Sequence, residues 1–390
     1  MSKNSLSNNF ENIRYLDNWL DNAKVIAKNL SKKSKNEKLL SVFTISSTVK
    51  NTSDNMPYLT PIRSTIHGNI GGAVVFSQFQ ASLLCKIIDG IVDLILVDAE
   101  KKIGITLGLD ENAISYFKLK GVEVNTKSRV PVEMGNLSST CSFLIEKSVF
   151  HEYKPNDVTV EAVWYFLSNK FKVLSSKKIV IIGGGNIGFK LALKLVESGC
   201  TVELVRRDME KGTAMAKTID IVKPKTTIAT VHYSHDPLQA ALFSDVLIGC
   251  TNGVSAIKWE MIQSMNKNGI ILDVGKGSIS KNVASLAMEN SIPIYRCDIS
   301  AAIDGLISTV IRNKEVFENE LGRKEIMNGI NIISGGQFGM DGDIVVDNYK
   351  NPKNIIGVAN GAGDIKFKTT KKDDININKL KSFIDKDVEK

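Results

Sequence analysis

The chain is predicted to be an α/β protein, a doubly wound parallel sheet preceded by a second α/β domain. Three observations carry that prediction. Short apolar runs alternate with segments of helical period along most of the sequence. One of those runs, Lys178 to Ile182, passes directly into a glycine-rich turn and then a helix. The length of 390 residues, 43% of them hydrophobic and 24% charged, suits two or three ordinary globular domains.

The same numbers exclude other classes. No stretch approaches the ~20 continuous apolar residues of a membrane span. The start, MSKNSLSNNFENIRYLDNWL, is polar and carries acids early, unlike a signal or transit peptide. Cys85, Cys141, Cys200, Cys250 and Cys297 are widely separated, which speaks against a disulfide framework or a zinc module and for a reducing, cytoplasmic setting. His232 and His235 lack a third ligand at metal spacing, so no metal is expected. Fifty Lys and Arg against forty-two Asp and Glu give a net charge of +8. These lysines are scattered among acids and asparagines without an aromatic-interleaved stripe, so a nucleic-acid partner is not expected.

Three regions are expected: an α/β substrate and catalytic domain over 1–155, a nucleotide-binding domain over 156–310, and a C-terminal segment over 311–390 returning to the first domain. In the first, residues 1–38 read as a polar helix and Leu39 to Ile45 as a buried strand. A turn-rich stretch from Asn51 through RSTIHGNIGG follows, then an apolar helix from Ala73 to Ile88 with Lys86 and Asp89 as a terminal pair. Asp93 to Asp98 is a strand, Asp110 to Lys120 a helix stopped by Gly121, and VEVNT a third strand. Asn156 to Phe171 repeats apolar residues at helical spacing, with Asp157 or Thr159 as its cap.

The glycine turn is the strongest signal. Gly183-Gly184-Gly185-Asn186-Ile187-Gly188 is a GxGxxG with a strand before it and a helix after it. In a Rossmann βαβ unit the first glycine permits the tight turn and the second lets a pyrophosphate approach the backbone. The third lets the helix pack close to the strand. The helix N-terminus adds free N–H groups and positive dipole, with Asn186 and Ile187 in its first turn. At the end of the next strand, an NAD site places an acid for the ribose 2′-hydroxyl. VELVRRD instead has Arg206 and Arg207, two guanidiniums suited to a 2′-phosphate. The cofactor expected is therefore NADP.

Further strands are expected near Thr226 to Tyr233, Ser244 to Ile248, Gly269 to Val274 and Ile292 to Cys297. Ligands of open α/β sheets sit at the carboxyl ends of the strands. Thr251 and Asn252 are accordingly expected beside the nicotinamide ribose and Gly275 at the same rim, with Asp273 and Lys276 either functional or turn residues.

At this point the run SSKKIVIIGGGNIGFKLALKLVESGCTVELVRRDMEKGTAMA resembles the cofactor domains of shikimate dehydrogenase, glutamyl-tRNA reductase and methylene-tetrahydrofolate dehydrogenase. LDVGKG is similar to a strand of the folate enzymes, and SDVLIGCTN to the fourth strand of the whole class. The resemblance spans about residues 156–305. It implies that Arg206, Arg207, Asp208, Lys211, Gly212, Met215 and Ala216 occupy the positions where shikimate-type enzymes read the NADP phosphate. It also implies catalytic groups in the preceding domain and an interdomain active site. The shikimate enzymes' lysine–aspartate substrate motif and the folate enzymes' Tyr-x-x-x-Lys have no counterpart here.

Hydride transfer needs a proton shuttle and a cation or donor for developing charge. His67 lies in a polar, glycine-flanked loop beside Arg63, Ser64 and Thr65, a shuttle with an anion clamp. Asp98 and Lys101, with Glu100, form a second candidate rim. Gln337, in a Gly335–Gly339 loop, is a further substrate-binding candidate, and Leu380, Phe383, Ile384 and Val388 make a terminal amphipathic helix for docking or homodimer formation. The expected activity is an NADP-dependent oxidoreductase acting on a small anionic metabolite. One alternative is a non-catalytic NADP(H)-binding regulator. The other is a flavin/NADP-linked reductase, because DGDIVVDNYKNPKNIIGVANGAGD resembles the flavin-contacting segment of pyridine-nucleotide disulfide oxidoreductases. Those enzymes need a second GxGxxG for FAD, and residues 1–150 contain none.

Overall fold

The computed structural model describes residues 3–47, 56–100, 103, 136–327 and 329–388. The expected helix 110–120, the VEVNT strand and Lys101 lie outside the described residues. The chain divides into two compact units, residues 1–304 and 305–390.

The first unit contains two sheets. Helix α1 (Lys3–Glu37) places Trp19, Ala23, Ala27 and Leu30 on one stripe, buried against Phe43 and Ile45 of strand β1 (Leu40–Ser46). Strand β2 (Tyr58–Ser64), strand β3 (Gly68–Val74), helix α2 (Gln78–Ile88), strand β4 (Leu94–Asp98), helix α3 (Leu137–Ser142) and strand β5 (Val149–Tyr153) complete it. The sheet order is β2-β3-β1-β4-β5, parallel except for β2.

Here the structure corrects three local readings. Tyr58 to Ser64 and the glycine-rich run Gly68–Val74 are strands, not turns, and β3 is buried at every residue. A strand covered on both faces loses the period-two pattern that would have marked it. The glycines serve packing: a Cβ on Gly72 would lie 2.0 Å from Thr44 Oγ1 of the neighbouring strand. The helix therefore starts only at Gln78, where Ser77 caps it by accepting from the Gln80 N–H. Asp89 does not pair with Lys86; its carboxylate accepts the backbone N–H groups of Glu146, Lys147 and Ser148 at 2.8–3.2 Å and so fixes the turn into β5.

Helix α4 (Pro155–Phe171) opens with Pro155 in its first turn behind Lys154, without a side-chain cap. Asp157 and Thr159, the expected caps, are already helical. Proline suits the first position because its missing N–H would have been unpaired there anyway. The second sheet follows: strand β6 (Lys178–Ile182), helix α5 (Asn186–Glu197), strand β7 (Thr201–Val205), helix α6 (Met209–Val222), strand β8 (Val231–Ser234), helix α7 (Pro237–Ala241), strand β9 (Val246–Gly249), helix α8 (Trp259–Gln263), strand β10 (Ile270–Asp273), helix α9 (Lys281–Glu289) and strand β11 (Ile294–Arg296). All pairs are parallel in the order β11-β10-β9-β6-β7-β8. Counted from β6, this is the 3-2-1-4-5-6 arrangement of the Rossmann fold. One face packs on α4 and α5 through Val163, Leu167, Leu191 and Leu195; the other is covered by Ala240, Ile257, Met261 and Ala287.

Helix α10 (Ser300–Glu315) runs into the second unit, a four-stranded sheet of β12 (Gly322–Met327), β13 (Ile330–Ser334), β14 (Ile344–Val346) and β15 (Ile355–Val358). The terminal helix α11 (Lys371–Val388) buries Leu380 and Ile384 in this unit's own core, with Ile332 and Ile344. The acids of 341–347 hold the fold locally. Arg323 grips Asp343 with two bonds of 2.7 and 3.0 Å, Lys366 bridges Asp341 and Asp373, and Asp347 accepts the amides of Lys353 and Asn354. Among the described residues no helix is long and apolar enough to cross a membrane, and no group of His, Cys, Asp or Glu is placed to hold a metal ion.

Candidate dinucleotide site

The site is built where β6 ends. Gly183 turns with φ +114°, and a Cβ there would meet the Cys250 backbone at 2.8 Å, so the loops after β6 and β9 approach too closely for any side chain. Gly188 touches the strand: its Cβ would lie 2.2 Å from the Gly183 carbonyl oxygen. Around Gly185 a Cβ would meet nothing within 4 Å, and α5 starts there without a side-chain cap. An open position in front of uncapped N–H groups is the arrangement that admits a pyrophosphate.

A cavity of about 660 Å³ runs over this loop. One end is lined by Arg206, Arg207, Asp208 and His235, the other by Cys250, Thr251, Asn252 and Val254, with Asn156 at its side. Arg206 lies across the glycine turn: its Nη1 donates to the Gly184 carbonyl, and its Tyr233-bonded backbone fixes the strand end. Its Nε is buried without a hydrogen-bond partner among the described residues, a donor left over for an anion. Arg207 is exposed beside it. Asp208, the only acid among the described residues lining this end, is turned away to cap α6 by accepting the Lys211 N–H at 3.0 Å, and that bond holds its carboxyl below the ordinary range. The donor set therefore fits a dinucleotide, with cations rather than acids at its ribose end.

At the other end Thr251 donates to the Val254 carbonyl at 2.6 Å and Asn252 is exposed to the cavity. Gly275 supports them from behind; a Cβ there would fall 1.8 Å from the Thr251 oxygen. Burial, together with nearby Cys297 and Asp273, pushes the Cys250 thiol up to about 12, so it stays protonated and is no nucleophile at neutral pH.

The first-domain candidates separate. In the parallel register, His67 precedes β3 at the amino edge, while Asp98 ends β4 at the carboxyl edge. Seven residues at ~3.3 Å each put these edges about 20 Å apart, so the two cannot serve one reacting atom. Asn156 belongs to the Asp98 edge: its N–H donates to Glu100 at 2.8 Å, and Glu100 also faces Lys190 of α5 at 3.5 Å. Asp98 is fully buried and accepts the Glu100 N–H at 2.8 Å. At the other edge Arg63 pairs with Asp298 at 3.3 Å and Ser64 donates to Asn69 at 2.6 Å. Gln337 lies exposed in the second unit. Asn156 and His235 were not singled out for the nucleotide from the sequence. The signal available for Asn156 was its place after a parallel strand; His235 follows β8 in the same way.

His67 is held by one carboxylate at two points, Asp304 accepting its backbone N–H at 2.9 Å and facing its Nδ1 at 3.1 Å. Burial raises the Asp304 carboxyl, but bonds from Thr65 and His67 outweigh it and leave the group below the ordinary aspartate range. A depressed folded-state value contributes stability that is complete above the unfolded aspartate range and is lost as the pH falls through the folded value. Asp304→Asn should lower the melting temperature at pH 7 and flatten its acid dependence. An unchanged acid limb in a thermal scan would show that the clamp contributes nothing.

Comparison with known proteins places the second sheet. Residues 166–294 match the family described as shikimate/quinate 5-dehydrogenase. Solved structures with similarity include L-tryptophan dehydrogenase from Nostoc punctiforme, with 14% identity, 67% of this chain, 71% of that chain and a TM-score of 0.37. Glutamyl-tRNA reductase from Methanopyrus kandleri gives 16% identity, 41% and 39% coverage and 0.32. CAD from Helicobacter pylori complexed with NADP(H) gives 17%, 41%, 43% and 0.28. A curated relative, the Trk system potassium uptake protein TrkA from Haemophilus influenzae, is 40% identical over 52 residues, 13% of this chain. The chain spans about a tenth of that relative's length, 10%. The glycine turn, the 3-2-1-4-5-6 sheet and the family match together make residues 166–294 a Rossmann NAD(P)-type nucleotide-binding domain of the shikimate/quinate 5-dehydrogenase kind.

Proposed function

We propose that the protein is an NADP-dependent oxidoreductase acting on a small anionic metabolite at the carboxyl edge of the Rossmann sheet. The observation that carries this reading is the cavity itself: two arginines and, among the described residues, no free acid at one end, and the glycine-hinged helix N-terminus in its middle. Bound in that cavity, the nicotinamide nucleotide supplies or accepts a hydride. The N–H groups at the start of α5 hold the pyrophosphate, and Arg207 with the spare Nε of Arg206 holds the 2′-phosphate. Thr251 and Asn252 orient the ribose at the far end, and the protonated Cys250 thiol adds no competing nucleophile. The proton shuttle is assigned to the Asp98–Lys101 rim, because Asp98 shares its edge with Asn156 of the cavity. His67, with Arg63 and Ser64, is assigned to the opposite edge, where Asp304 makes it a strut.

Calorimetric titration is the direct test. NADPH should bind at least tenfold more tightly than NADH, and the preference should weaken as salt screens the arginines. Binding of neither nucleotide to the folded chain would sink the reading.

A further inference from the structure

Between two glycines beyond β10 stands Lys276, a side-chain-bearing residue in the left-handed region, with φ +55°. A lysine there carries a Cβ against the following carbonyl, a strain that glycine avoids and asparagine tolerates. The surrounding loop enforces that conformation. Val274 and Gly275 donate their N–H groups to the Gly249 carbonyl at 2.9 and 2.8 Å, and Gly253 donates to the Gly275 carbonyl at 3.3 Å. Asp273 accepts from the N–H groups of Gly277 and Ser278 at 2.9 and 3.2 Å, and Ser255 donates to the Gly277 carbonyl. The loop after β10 is thus sewn to the loop after β9, whose Thr251, Asn252 and Val254 line the nicotinamide end of the cavity. The cation also lies within electrostatic reach of Cys297 at the end of β11, which it pulls downward against burial and Asp298. An exposed lysine is thereby held in a strained backbone on a rigid loop, at the strand ends where such sheets place their ligands.

We propose that Lys276 is the substrate anchor: its ammonium pairs with a carboxylate on the small molecule that exchanges hydride beside the Thr251–Asn252 loop. This rests on the dehydrogenase reading above and narrows its substrate to carboxylic acids. Strain retained for such a contact has a consequence that a mere turn residue lacks. Removing the lysine should improve the fold while it harms binding.

The test uses the full-length chain with NADPH bound, whose fluorescence reports titration with shikimate, quinate and pyruvate, and with methyl pyruvate as the uncharged control. At least one carboxylate should bind the wild-type binary complex, and methyl pyruvate should not. Lys276→Asn and Lys276→Gly should weaken that carboxylate at least tenfold and leave the NADPH dissociation constant within twofold. They should also raise the melting temperature by about 2 °C, the shift expected for relief of ~1 kcal/mol in a domain of this size. Lys276→Arg should retain carboxylate binding. Unchanged carboxylate affinity in Lys276→Asn and Lys276→Gly overturns the anchor, and so does wild-type protein that binds NADPH but none of the three acids. Absence of NADPH binding in the wild type overturns the dehydrogenase reading first and the anchor with it.

Discussion

Gly188→Ala is expected to destroy the dinucleotide domain, whereas Gly185→Ala, three residues earlier, is expected to leave the fold intact and cripple nucleotide binding. The asymmetry is steric. A Cβ at Gly188 would sit 2.2 Å from the Gly183 carbonyl oxygen and 3.4 Å from Ile181 Cγ2, both on the strand and turn that the helix must touch. Backbone cannot give way there without parting α5 from β6, so the cost is roughly 3 kcal/mol or more. At Gly185 the same atom meets no protein within 4 Å and the backbone, with φ −91°, is open to any residue. Its stability should change by less than about 1 kcal/mol. The methyl would instead stand where the pyrophosphate approaches the N–H groups of α5, weakening nucleotide affinity on the order of 100-fold. Urea midpoints and calorimetry on the two variants check both halves. A Gly188→Ala protein with the wild-type midpoint, or a Gly185→Ala protein with wild-type affinity, would contradict the assigned geometry.

The second large effect separates the two arginines. Arg207→Ala should reduce NADPH affinity by about 10- to 100-fold, the range of one lost hydrogen bond to a charged group, and leave NADH untouched. Arg206→Ala should weaken both nucleotides. Its guanidinium donates to the Gly184 carbonyl and its side chain packs on that glycine, so the loop that carries the pyrophosphate loses a support as well as a cation. Comparing NADPH with NADH in each variant isolates the 2′-phosphate contribution. Equal loss of both nucleotides in Arg207→Ala would remove that residue from the phosphate site.

The two edges of the first sheet show how far residue patterns reach. His67 and Asp98 were equally attractive as shuttles because each is polar and follows or precedes an apolar run. Only the register, Leu40 beside Gly68 and Val42 beside Leu94, sends one to the amino edge and the other to the carboxyl edge. The same holds for β3: its three glycines read as a loop until β1 lies beside them and leaves no room for larger residues.

What sequence alone determined is the Rossmann unit. Its strand–glycine–helix turn, its apolar parallel strands and the arginines after β7 are local in the chain, and each imposes its geometry within a few bonds of its own position. Tertiary structure decided the rest: that Asp89 ties a turn nearly sixty residues away, that Asp304 clamps His67, that Asn156 joins the nucleotide cavity, and that α11 spends its apolar stripe on its own sheet. Those contacts link segments far apart in sequence. No periodicity or spacing encodes them, because the partner of a polar or apolar group is chosen only when packing brings distant strands and helices together.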